Sequence, residues 1–104
     1  MRGNLFFMKV DVIDEISRYV DLDREALLRQ GIEAFLKDRK RRLMLDRQEI
    51  LSRYRVLDSR QLEAKIRSGE VNEHPTWEDL ITLENLEEAI AKLDGYLRDL
   101  HQAA

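Results

Sequence analysis

Residues 70–104 hold nine acidic side chains and two basic ones. Five of the acids, Glu78, Asp79, Glu84, Glu87 and Glu88, interleave with Trp77, Leu80, Ile81, Leu83, Leu86, Ile90, Leu93 and Leu97. Carboxylates set among an apolar stripe suit recognition: the apolar side chains fill a groove while the acids meet cations on its rim. Covalent or metal chemistry has little to work with. The chain has two histidines and no cysteine. His74 precedes Pro75, His101 lies near the end, and neither has a partner at the spacing of a zinc site. No glycine-rich phosphate loop or nucleophile motif accompanies the carboxylates. The expectation is a binding protein and not an enzyme, with no cofactor and no metal.

A second cluster, Lys37-Asp38-Arg39-Lys40-Arg41-Arg42, could meet phosphate. Its ordinary alternative is a solvated helix face, since no aromatic residues interleave with it. The charge is split along the chain. Residues 1–69 hold 16 Lys and Arg against 12 Asp and Glu, and residues 70–104 hold 2 against 9, which together give the net −3. A basic first part joined to an acidic tail suits two electrostatically different partners.

The elements that must position these residues follow from periodicity. Leu22–Leu57 contains no proline and a single glycine, Gly31, and Asp23 stands as its N-cap, so one long helix is predicted. Its first half carries Leu27, Leu28, Ile32, Phe35 and Leu36, and its second half repeats Leu36, Leu43, Ile50 and Leu57 at sevenths. So long and charged a helix needs another beside it, from this chain or from a second copy. Before it, Phe6–Val12 alternates as a half-buried strand. No other strand-like segment exists, so the strand would pair with its copy in a dimer. Asp14 caps a short helix to Tyr19 or Val20. Asp58 with Gln61 reads as a capping-box variant opening a short helix that Gly69 stops. Thr76 caps the last helix, whose Leu83, Leu86, Ile90, Leu93, Leu97 and Leu100 form a seam spaced 3, 4, 3, 4, 3. Leu5–Met8 is too short to span a membrane and makes a poor signal peptide, so a cytoplasmic protein is expected.

Strand, short helix, tight corner and longer helix, carried by Met8–Ile16 and Leu22–Leu36, resemble the ribbon-helix-helix fold over residues 6–38, about a third of the chain. That resemblance implies that Phe7, Lys9 and Asp11 face the DNA major groove and that the backbone near Asp23 and Arg24 meets phosphate. Asp11 and Asp23 bring negative charge towards phosphate, which Arg2, Lys9 and the Arg39, Lys40, Arg41 and Arg42 block would have to offset. The layout is similar to antitoxins of prokaryotic type II toxin–antitoxin pairs: a dimerising and DNA-binding part, here 1–57, and a partner-binding arm, here 58–104. His74-Pro75-Thr76-Trp77-Glu78-Asp79-Leu80-Ile81 and Glu84-Asn85-Leu86-Glu87 look like such an arm.

The resulting expectation is a mainly α protein with a short N-terminal strand, a ribbon-helix-helix-like homodimer with a long helix and a C-terminal amphipathic arm. The arm would neutralise a small basic toxin, in this reading a ribonuclease, its acids mimicking RNA phosphates. Autoregulatory DNA binding through Lys9 is the secondary expectation. Two alternatives stay open: a structural or adaptor coiled-coil dimer, helical and protease-resistant without any partner, and a DNA-binding regulator with no protein target, whose salt-dependent binding survives loss of 70–104.

Overall fold

Asp23 starts the longest element as its residue type requires. Its carboxylate accepts from the Ala26 amide at 2.7 Å, and its carbonyl accepts from Leu27 at 2.9 Å. The structure, a computed structural model, describes residues 12–103, and the described residues are all helical apart from the turns between helices. Helix α1 covers 12–20, α2 Arg24–Tyr54, α3 Ser59–Arg67 and α4 Glu73–Gln102. The strand expected over Phe6–Val12 lies outside the described residues except for Val12, which is helical and not extended. None of the described helices is long and apolar enough to cross a membrane.

The chain divides into two compact units, one ending at Phe35 and the other starting at Leu36. The sequence-based division at 57/58 falls inside the second of them. In the first unit, α1 turns into α2 through Asp21, whose φ of 58° is a left-handed conformation that aspartate tolerates better than most residues. The corner is tied by the Leu22 amide, which donates to the Ser17 carbonyl at 3.1 Å, and by the buried Ser17 hydroxyl, which donates to the Leu22 carbonyl.

In the second unit α2 stops at Tyr54. Arg55 takes φ 55°, and the Val56 amide donates to the Leu51 carbonyl at 3.1 Å. This is a Schellman stop, and its apolar contact is supplied by buried Leu51 and Val56. Leu57, expected to continue the heptad row, therefore lies beyond the helix and is 75% exposed. Asp58 caps α3 by accepting from the Gln61 amide at 2.9 Å. The Gln61 side chain reaches back to the Leu57 amide at 2.8 Å, a capping box displaced by one residue. Gly69, at φ 79°, ends α3 while the Glu70 amide donates to the Lys65 carbonyl at 3.0 Å. Helix α4 begins earlier than the Thr76 start expected, although His74 interrupts it with the extended backbone that a following proline imposes. Thr76 sits inside the helix and is buried.

The core of this unit joins Ile50, Leu51 and Val56 to Leu62 and Ile66 of α3 and Leu80 and Leu83 of α4, flanked by Tyr54, Val71 and Leu86. Three ion pairs set the register of α4 along α2: Lys40–Asp94 at 2.6 Å, Arg47–Glu87 at 3.3 Å and Arg53–Asp79 at 2.9 Å. Numbers rise along α2 as they fall along α4, so the two helices run antiparallel. The partner that the long helix needs in this unit is the last helix of its own chain.

Candidate functional site

Helix α4 has two different faces. Leu80 and Leu83, 2% and 0% exposed, point into the core, and Leu86 packs against it. Ile90 lines an open cleft together with Met44 and Arg47 of α2, and Leu97 lines another with Met44 and Leu45, so this end of the seam faces α2 across unfilled space. Leu93 is half-buried. These leucines were expected to serve a partner; here the upper seam is taken up within the chain.

Two of the acids are also engaged internally. Asp79 accepts from Arg53 at 2.9 Å and from the Tyr54 hydroxyl. Glu87 accepts from Arg47 at 3.3 Å, from the Ser59 amide at 3.1 Å and from the Ser59 hydroxyl. Pairing of α2 and α4 had a readable signal in the sequence: cations at Lys40, Arg47 and Arg53 match anions at Asp94, Glu87 and Asp79 at near-heptad spacing.

Burial pushes the Tyr54 phenol up, and its hydrogen bond to Asp79 pushes it the same way. The folded state therefore holds this proton more tightly than the unfolded chain. The stability involved is complete below the unfolded tyrosine value, about 10, and is lost as pH rises through the folded one. Tyr54→Phe is expected to flatten the alkaline limb of a pH–stability curve followed by circular dichroism; an unaltered limb would show that other groups set it.

The outer face of α4 remains. Trp77 and Ile81 are each 45% exposed and stand one turn apart. Glu84 and Glu88 continue the same stripe at helical spacing, and Glu78 lies beside it, all exposed. An indole, a branched aliphatic and a row of carboxylates on one face can seat in an apolar depression rimmed by cations. The exposed tryptophan costs the isolated chain apolar hydration that a partner would relieve.

Three cations of the basic block, Lys40, Arg41 and Arg42, pair with two carboxylates. Asp38 accepts from Arg41 at 2.9 Å and pairs with Arg42 at 3.0 Å, while Lys40 holds Asp94. The Arg41 hydrogen bond, with Arg42 beside it, holds the Asp38 carboxyl below the usual carboxylate range. Arg24 and Arg39 are exposed on α2. Phe7 and Lys9 lie outside the described residues. Among the described residues no group of three His, Cys, Asp or Glu side chains could hold a metal ion.

Neither the curated proteins nor the solved structures contain a match to this chain. A family model described as "Uncharacterized protein MJ0235 family" matches residues 8–104, which takes in both units of the described fold and the whole of α4, and the chain belongs to that family.

Proposed function

We propose that this chain is an antitoxin-like binding protein, not an enzyme, whose α4 outer face occludes a small basic partner protein. The observation that carries the reading is the exposure of Trp77 and Ile81 on an acidic helix whose opposite side is already packed. The proposed contact set is Trp77, Ile81, Glu78, Glu84 and Glu88, with the apolar pair filling a depression and the acids meeting Lys and Arg around it. A ribonuclease toxin has such a basic surface because its substrate is an anion, and carboxylates placed there would compete with RNA phosphate. The α1–corner–α2 order supports a ribbon-helix-helix-like N-terminal part within the same reading. The internal pairing of Lys40, Arg41 and Arg42 leaves DNA contact to Lys9, Arg24 and Arg39.

The test is co-purification and growth. A truncation after Ser68 would remove Leu80 and Leu83, two of the seven buried core residues, so a point variant is the better comparison. Tagged full-length chain and its Ile81→Glu variant are expressed in the native host. One small basic protein is expected to co-purify in equal molar amount with the unaltered chain, and at least ten-fold less with the variant. Expressed alone it should arrest growth, and co-expression of the unaltered chain should relieve the arrest. Equal recovery with both chains, or a recovered protein that does not affect growth, overturns the reading.

A further inference from the structure

Within the second unit, α2 and α4 leave an open cleft of about 550 Å³ between them. Lys37, Lys40 and Arg41 line its first two turns along α2. Met44 and Leu45 form the next turn, and Gln48 stands at the far end. Leu97 is the wall on the α4 side. Met44 and Leu45 are 48% and 59% exposed, so this turn carries apolar surface that the unit leaves in water. Among the described residues three cations line the cleft and no carboxylate does. Asp94 and Asp38, which pair with Lys40 and Arg41, stand outside that lining. Both pairs are open to water, where such pairs contribute little. A guanidinium carries several N–H donors and an ammonium three, so each cation can keep its own acid and still donate to a ligand.

We propose that this cleft binds a free fatty acid, its carboxylate held by Lys37, Lys40 and Arg41 and its alkyl tail laid along Met44 and Leu45 towards Gln48. Charge decides the head: cations gathered on one part of a cleft with no acid in its lining attract an anion. The exposed apolar turn decides the tail, and a methionine thioether adapts to a flexible chain. The aliphatic stems of the lysines and the arginine continue the apolar wall up to the head. Size decides between a small molecule and a protein. The volume lies within the range of small-ligand sites. A protein partner needs about twenty residues a side, which these few turns do not supply. Arg41 to Gln48 is about 10 Å along the helix axis. Roughly eight extended methylenes cover that distance, so a saturated acid of about ten carbons fits. The cleft includes neither Trp77 nor Ile81, so the inference stands apart from the partner proposed for the outer face of α4.

Purified full-length protein is titrated with decanoate, below the concentration at which decanoate forms micelles. Calorimetry is expected to show one equivalent bound. Octanoate and hexanoate should bind more weakly, by about three-fold for each methylene removed. Decanol, with the same tail and no charge, should bind at least ten-fold more weakly than decanoate. The site can be located on the unaltered chain. Its methionines are Met1, Met8 and Met44, so methyl-labelled protein gives at most three methyl signals, and that of Met44, identified by its loss in Met44→Leu, should shift as the site fills. Met44→Glu and Arg41→Glu are each expected to weaken binding at least ten-fold, with helix content retained by circular dichroism. Ile32→Glu, which places a charge in the uncharged apolar groove of the first unit, should leave binding unchanged. No decanoate binding, or binding only once micelles form, overturns the inference. Decanol bound as tightly as decanoate, a Met44 signal that stays in place, or a loss confined to Ile32→Glu overturns it equally.

Discussion

Replacing Leu83 with alanine is expected to destabilise the second unit by about 3 kcal/mol, because a fully buried leucine loses its transfer free energy and leaves a cavity behind. Leu83 has no exposed surface and shares its core with Leu62 and Leu80. Domains of this size are stable by only a few kcal/mol, so the loss removes a large share of the total. Thermal or urea unfolding of the variant should show a midpoint far below that of the unaltered chain. A midpoint close to the original would mean that α4 is not part of this core. That result would return the whole seam to the role of a free arm.

Trp77→Ala is expected to do the opposite. Its side chain is half out of the fold, so the melting midpoint should move little, as for most surface substitutions. Affinity for the partner of α4 should fall by about 2 kcal/mol or more, roughly 30-fold, which is what removal of an aromatic anchor costs at the centre of an interface. The measurement is titration calorimetry with the co-purified protein, run beside Glu88→Gln as a rim control expected to change affinity only a few-fold. Equal affinities for Trp77→Ala and the unaltered chain would move the contact away from this face. Together with Leu83→Ala the experiment separates residues that hold α4 in place from those that α4 presents.

Local signals in the sequence were strong enough to place most helix ends. Asp23, Asp58 with Gln61, and Gly69 each act through groups within three or four residues, and each stands where its chemistry requires. The end of α2 was missed because its left-handed residue is Arg55, which carries no stop signal. The heptad row consequently seemed to extend to Leu57. Val12 reads as strand by alternation and Asp14 as a cap by type, yet α1 already includes Val12, so Asp14 lies inside the helix and does not cap it. The seam of α4 was evident from spacing, but spacing alone leaves open which helix lies against it. That choice rests on pairs such as Arg47–Glu87, which are forty residues apart in sequence. Trp77 stood out in the sequence by its type. Its exposure did not, because that depends on Leu80 and Leu83 rather than Trp77 turning inward.

The three ion pairs between α2 and α4 also constrain how the length of this protein can change over evolution. Removing one residue from α2 between Lys40 and Arg53 would rotate everything beyond it by about 100°. Lys40 and Arg53 could then no longer both face α4. Only paired changes of whole turns, made on both helices at corresponding depths, keep every cation opposite its anion. Relatives that differ in length here should therefore gain or lose sequence at two distant places together. The turns around α3 are free of that restriction.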